Sequence, residues 1–176
     1  MKNSAAETLV LGLLDRWWNL DGEEHRLSPG DKAPAFSLAD QNNQVFDSSF
    51  LEGKKTVLYF YPAAGSPGCS KEAADFQERI EDFIRLGYQV IGVSPDSVEK
   101  IKDFEDSQQL TFTLLSDPEF EAHKAYGAFG LKTLYGRTYR GVLRSTVIVN
   151  PDLTVKNAFY SVKATGHISM LLKEIS

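Results

Sequence analysis

The stretch Thr56-Val57-Leu58-Tyr59-Phe60-Tyr61 is a near-continuous run of β-branched, aromatic and apolar residues. A strand with one wet face alternates polar and apolar side chains. A run like this has to be covered on both faces, which places it at the centre of a sheet with parallel neighbours. Parallel strands need a crossover, and a helix from near Cys69 to about Arg85 supplies it. Ala73, Phe76, Ile80, Phe83 and Ile84 fall on one face of that helix, Lys71, Glu78 and Glu81 fall on the other, and Gly87 ends it.

The pattern repeats downstream. Gln89 to Val93 reads as a strand, Ser97 to Gln108 as a helix, Thr111 to Leu115 as a short strand, and Pro118 to Tyr126 as a helix with Pro118 in its first turn. Antiparallel signals follow: Arg144 to Val149 as a buried strand, a turn at Asn150-Pro151-Asp152, Thr154 to Tyr160 as its partner, and a helix from about Gly166 to Ile175. Ahead of the central strand, a strand from Ala35, a turn at Asp40 to Asn43 and a strand around Gln44 to Phe46 form an N-terminal β-hairpin. This order predicts an α/β fold with a mixed central sheet flanked by helices. Residues 4 to 19 carry Leu9, Val10, Leu13, Leu14 and Trp17 on one helical face, and Asn19 to Pro34 reads as a linker into the body. The expected division is a helical extension and linker at residues 1–26 and the main domain at 27–176. The extra helix could pack on the body, form a dimer contact or lie on a membrane surface, although its polar face is not basic.

The chain has 176 residues with Lys plus Arg 19, Asp plus Glu 24 and a net charge of −5, opposite to the footprint of a nucleic-acid binder. The local basic excess of Lys132, Arg137, Arg140 and Arg144 alternates with aromatic and apolar residues and reads as loop and strand with a solvated face. Near the N-terminus the longest apolar stretch, Leu9 to Leu14, falls far short of the roughly 20 residues needed to cross a bilayer. No membrane partner is expected. Cys69 is the single cysteine, so no intrachain disulfide can form and a reducing, cytoplasmic setting is favoured. His25, His123 and His167 are scattered, without a second ligand at metal spacing, so no metal is expected.

The segment Pro62 to Glu72 joins the central strand to the long helix and puts Cys69 in the first helical turn, at the carboxyl end of the strands, where open sheets bind ligands. The first backbone N–H groups there lack intrahelical acceptors, and the helix dipole presents partial positive charge. Both favour a thiolate. Bringing a thiol from about 8.5 to about 6 takes roughly 3.4 kcal/mol, whereas a helix terminus supplies about 0.3 to 2. A cation is needed as well, and Arg144, just before Ser145 to Val149, is placed to supply it. Ser66 adds a hydroxyl near the sulfur, and Pro62 and Pro67 stiffen the loop. Plainer readings exist for each position: an inert buried Cys69, a strand-end ion pair for Arg144, a helix cap for Ser66, a solvated helix end for Lys71 and Glu72, and a structural His167. Lying between Gly68 and Ser70, Cys69 is expected on the polar side of the loop rather than on the apolar helix face.

Pro62-x-x-x-Ser66-x-x-Cys69 resembles the active-site signature of the peroxiredoxins, and Arg144-Ser145-Thr146 resembles their arginine strand. Tyr59-Phe60-Tyr61-Pro62, Ser66-Pro67-Gly68-Cys69, Lys71-Glu72-Ala73, Tyr135-Gly136 and Val162-Lys163-Ala164-x-Gly166-His167 are similar to the subgroup called bacterioferritin comigratory protein or peroxiredoxin Q, of the AhpC/TSA-like kind. The similarity spans about Leu27 to Ser176. It implies a thioredoxin-like fold and reduction of hydrogen peroxide or organic hydroperoxides without a cofactor. In that reading Cys69 is the peroxidatic thiolate, oxidised to a sulfenic acid. Ser66 and the backbone N–H groups near Gly68 and Cys69 hold the peroxide, with Glu72 orienting the loop beside it. Arg144 keeps the thiolate ionised, and Pro62 shields the sulfur from water.

Many members of the subgroup carry a resolving cysteine in a C-x-x-x-x-C arrangement; here that position is Ala74. The resemblance therefore implies a one-cysteine mechanism with an external reductant, whether thioredoxin, glutaredoxin or a low-molecular-weight thiol, in a monomer or homodimer. Two other readings remain: a peroxide sensor or redox-regulated binding protein with little turnover, and a holdase or structural thioredoxin-like module.

Overall fold

The computed structural model describes residues 26–176; the helix expected at residues 4 to 19 lies outside the described residues. In chain order the elements are β1 (Ser37–Asp40), β2 (Val45–Asp47), β3 (Lys55–Phe60), α1 (Pro67–Glu78), α2 (Ile80–Arg85), β4 (Tyr88–Ser94) and α3 (Val98–Gln108). They continue with β5 (Thr113–Ser116), α4 (Glu121–Ala125), β6 (Phe129–Leu134), β7 (Arg137–Val142), β8 (Ser145–Val149), β9 (Val155–Phe159) and α5 (His167–Ile175). A seven-stranded sheet runs in the order β2-β1-β5-β4-β3-β8-β9. Strands β3, β4 and β5 are mutually parallel neighbours, while β8 pairs antiparallel with β3 and β1 antiparallel with β5. The mixed sheet with flanking helices and the β1–β2 hairpin agree with the expected architecture.

The central position of β3 follows from its composition. Val57, Tyr59 and Tyr61 enter one core with Phe76, Phe83, Ile101, Phe112 and Leu171. Leu58 and Phe60 enter the other, with Leu51, Phe36, Tyr126 and Val147. Because side chains alternate across a strand, a near-continuous apolar run is what two apolar cores demand. Among the described residues no helix is long and apolar enough to cross a membrane.

Three local expectations are corrected. The helix expected to run unbroken to Arg85 is interrupted at Arg79 (φ −105°, ψ 12°), whose N–H is shared between the Asp75 and Phe76 carbonyls. The Arg79 guanidinium then donates to Asp82 at 2.7 Å and secures the start of α2. The helix expected from Pro118 begins only at Glu121, because Phe120 sits in the left-handed region (φ 57°) and Asp117–Phe120 close a turn instead. Finally, the basic segment expected as loop and strand is a two-stranded hairpin, β6–β7. Tyr135 and Gly136 both take positive φ (50° and 75°), as a tight primed turn requires.

Gly92 of β4 lies against the Tyr59 ring, and a Cβ there would fall 2.9 Å from the ring carbons. Tyr59 is fully buried and stacked on Phe76 at 4.5 Å and Tyr61 at 5.3 Å, so the ring has nowhere to go. Gly92→Ala is expected to destabilise the fold by about 1–3 kcal/mol, through overpacking. Urea unfolding of the two proteins side by side measures this, and an unchanged midpoint would refute it.

Candidate active site

The parallel strands β3 and β4 end together, and the loop after β3 is tied down where they do. Tyr61 N–H donates to the Val93 carbonyl at 3.0 Å, and Ala64 N–H donates to the Asp96 carboxylate at 2.6 Å. Asp96 is a positioning residue that the sequence reading did not single out; the Ser94-Pro95-Asp96 turn was its available signal. Ser66 caps α1 in an extended conformation, and Pro67 occupies the first helical positions, where its missing N–H is no loss. The first intrahelical bond runs from Ser70 N–H to the Ser66 carbonyl at 2.8 Å, so the N–H groups of Gly68 and Cys69 precede the helical ladder. Ser66 Oγ donates to the Ala63 carbonyl at 3.0 Å, which commits its proton and leaves the oxygen free to accept. Pro62 is half-buried at the base of the loop.

Arg144 arrives from the other end of the chain. The antiparallel register sets Ser145 opposite Phe60, so the preceding residue stands beside the start of the loop. Its Nη2 lies 3.4 Å from Cys69 Sγ, and its Nη1 donates to Glu72 Oε1 at 2.7 Å. Gly68 makes room for this, since a Cβ there would come within 3.2 Å of Arg144 Nη2. The Arg144 side chain is 15% exposed and Glu72 is fully buried. Burial pushes the Glu72 carboxyl up and the Arg144 guanidinium pulls it back, leaving it at about 7. Arg144 is held above its ordinary value: burial opposes its charge, and Glu72 and Cys69 more than offset that.

One expectation fails here. Cys69 is only 1% exposed and belongs to the apolar cluster with Tyr59, Tyr61 and Phe76, rather than to the polar side of the loop. Glu72 is interior too, which removes its plainer reading as a solvated helix end. Both follow from helical spacing: Cys69, Glu72, Ala73 and Phe76 share the inward face of α1. Lys71 does point to solvent, paired with Asp75 at 3.1 Å.

Among the described residues, His123 and His167 make their hydrogen bonds away from the sulfur. His167 Nε2 is 2.7 Å from Thr146 Oγ1, and burial together with the Arg144 charge pushes the imidazole down to about 4, so it is neutral at pH 7. His123 pairs with buried Asp117 at 2.7 Å across the sheet, its ring against Phe60. The arrangement at Cys69 is thus a sulfur at a helix start, flanked by amide donors and one guanidinium, with neutral phenols behind it. Burial pushes the Tyr59 hydroxyl well above the usual phenol range.

This geometry has close counterparts among known proteins. The AhpC/TSA family model matches residues 29–158. The chain belongs to the AhpC/TSA family, among the peroxiredoxins. It is 48% identical to the Mycobacterium tuberculosis protein Rv2521, named for the peroxiredoxins, over 86% of this chain and 96% of that one. Identity to peroxiredoxin Bcp of Escherichia coli is 33%, covering 83% and 94% of the two chains. Among solved structures, the Xanthomonas campestris bacterioferritin comigratory protein, for which alkyl peroxide reduction activity is described, superposes with a TM-score of 0.75 at 30% identity, covering 80% and 89%. A Xylella fastidiosa peroxiredoxin Q variant gives 0.79 at 30% identity, covering 85% and 96%. The resemblance to the peroxiredoxin Q subgroup and the thioredoxin-like fold are thereby established, and with them thiol-dependent peroxidase activity as the family chemistry.

The raised Glu72 carboxyl makes a linkage prediction. Between about 4.5 and 7 the folded peroxiredoxin binds a proton at Glu72 that the unfolded chain releases, so this residue makes stability fall as pH rises through that window. Chemical denaturation across pH 4.5–7.5 is expected to show Glu72→Gln gaining stability relative to the parent as pH rises. A constant difference between the two would refute the assignment.

Proposed function

We propose that this peroxiredoxin reduces hydrogen peroxide and organic hydroperoxides through a one-cysteine cycle at Cys69, completed by an external thiol. The observation that carries the reading is Arg144 Nη2 at 3.4 Å from the chain's single cysteine, at an α-helix start whose first N–H groups are free of the helical ladder. Arg144 and the α1 dipole favour the sulfur as an anion. The thiolate attacks the terminal peroxide oxygen, an S–O bond forms as the O–O bond breaks, and the departing alkoxide takes a proton to leave as alcohol or water. Cys69 is left as a sulfenic acid. Gly68 and Cys69 N–H groups and Arg144 face the developing negative charge, while Ser66 Oγ accepts the hydroperoxide O–H. Glu72 holds the guanidinium in place, and Pro62 limits water at the sulfur.

Resolution then takes two external thiols. The first displaces the sulfenic oxygen as water and leaves a mixed disulfide; the second attacks the external sulfur of that bond, releasing Cys69 and leaving with the first as their disulfide. With 1% exposure at the sulfur, a small thiol reaches it more readily than the surface of thioredoxin or glutaredoxin does. Alkyl hydroperoxides as substrates are supported by the activity described for the X. campestris relative. The lone cysteine suits a reducing, cytoplasmic environment.

Mass spectrometry after one equivalent of peroxide is expected to find one added oxygen at Cys69, absent in Cys69→Ser, and added thiol is expected to restore turnover. Oxidation without turnover under any thiol would replace the enzyme by a sensor. Arg144→Met is expected to slow peroxide consumption by about 10²–10³-fold, the scale set by removing one donor to a developing charge, with circular dichroism unchanged. A rate within threefold of the parent would remove Arg144 from the mechanism.

A further inference from the structure

The two cores of the sheet are covered unequally. The first takes side chains from Phe76 of α1, Phe83 of α2, Ile101 of α3 and Leu171 of α5. Among the described residues, the one α-helix that contributes to the second is α4, which has five residues and supplies Ala122. Turns and loops close the remainder, and Leu27, Phe46, Leu153 and Ala158 at its rim are only partly buried. A sheet whose central strands are parallel ordinarily carries helices on both faces. Phe50 extends the rim outward: its ring lies 5.4 Å from that of Phe46, and it is 53% exposed.

Residues 1–25 join the body on this same rim. Leu27 N–H donates to Tyr160 Oη at 2.8 Å, Tyr160 Oη donates to the Tyr126 carbonyl at 2.6 Å, and the Arg26 guanidinium lies over the Tyr160 ring at 5.3 Å. From there the rings continue: Phe36 is 5.9 Å from Tyr126 and 6.3 Å from Phe46, which leads to Phe50. An apolar path thus runs from the attachment point to an exposed phenylalanine. The attached segment carries a matching surface, the stripe of Leu9, Val10, Leu13, Leu14 and Trp17 expected on a helix at residues 4 to 19. Such a helix would be about 24 Å long, and residues 20–25 can span up to about 20 Å, enough to lay it along the ring path.

We propose that residues 4–19 form an amphipathic helix that docks on the second core of their own chain, along the path from Tyr160 to Phe50, and gives that face its helical layer. An isolated helix of this length is marginal in water, so the segment needs an apolar partner, and the rim to which it is tethered supplies one. Tethering holds the segment at high effective concentration beside that rim, which favours docking in the same chain over docking on a second copy. Thr8, Asp15 and Asn19 fall on the side of the helix opposite the stripe and face water. Cys69 belongs to the other core, so the cover leaves the contacts of the sulfur as they are.

The chain supplies its own probe. Trp17 and Trp18 are its two tryptophans, so selectively excited tryptophan fluorescence reports on this segment alone. In the full-length protein the emission is expected well to the blue of that of the urea-unfolded chain, with weak quenching by acrylamide. Phe50→Asp is expected to move the emission to the red and to raise the quenching, with far-UV circular dichroism showing the body still folded; Phe50→Ser serves if the aspartate proves disruptive. Leu13→Asp, which alters the segment and not the body, is expected to do the same. Ile84→Asp on α2 and Leu131→Asp on β6, at comparably exposed apolar positions (57% and 48%), are expected to change nothing. Tryptophans as exposed in the folded parent as in the unfolded chain overturn the proposal. So does an unchanged emission in the folded Phe50 variant, or a shift produced by Ile84→Asp or Leu131→Asp instead. A blue shift that appears only with phosphatidylcholine–phosphatidylglycerol vesicles overturns it in favour of a lipid surface, and one lost on dilution overturns it in favour of a second copy of the chain.

Discussion

A guanidinium held between a buried carboxylate and a buried sulfur is the constraint around which this fold is arranged. Arg144 reaches both Glu72 and Cys69 only because β8 lies antiparallel beside β3 with Ser145 opposite Phe60. A slip of one residue in that register would turn the whole of β8 over and send the arginine to the other face of the sheet. The register is secured by packing: every residue of β8 is buried, and Val147 and Ile148 enter opposite cores.

The pair does not serve stability. Taking a carboxylate and a guanidinium out of water costs several kcal/mol for each ion, and their attraction recovers this only in part when lone pairs remain unused. Glu72 Oε2 has no hydrogen-bond partner among the described residues, and the carboxyl rests at about 7. Burial therefore outweighs the arginine at Glu72, whereas Arg144 keeps its charge. What the arrangement provides is direction. Nη1 is engaged by the carboxylate, so Nη2 is presented to the sulfur at a fixed place, and Gly68 leaves that place open. Preorganised charge of this kind needs no rearrangement when the reaction develops negative charge.

The parts that sequence made legible share one property: they are local. The uninterrupted apolar run of β3 dictates a strand with two covered faces, and Pro62, Ser66 and Cys69 stand within one loop and helix start. Arg144 was reached through the thiolate's need for a cation and its place just before a buried strand, and then through the motif. The burial of Glu72 was not legible, because a glutamate in a first helical turn is ordinarily solvated. Only its partner, distant in sequence, makes the interior tolerable. The interruption at Arg79 has neither Pro nor Gly to announce it, and the left-handed Phe120 that shortens α4 is of a type rarely found there. The β6–β7 hairpin did carry a signal, in Tyr135-Gly136 between alternating segments, but the basic residues on it drew the reading towards a solvated surface.

Burial of Cys69 bears on how the cycle closes. A sulfur among Tyr59, Tyr61 and Phe76 is shielded from large reagents, while the Arg144 side chain beside it remains 15% exposed. A C-x-x-x-x-C arrangement on one helix would set the two sulfurs on different faces, so that helix would have to loosen for them to meet. In the one-cysteine cycle proposed for this chain, with Ala74 at the corresponding position, α1 would keep its fold throughout if the reductant is small. The demand then moves from the flexibility of the helix to the chemistry of the entrance.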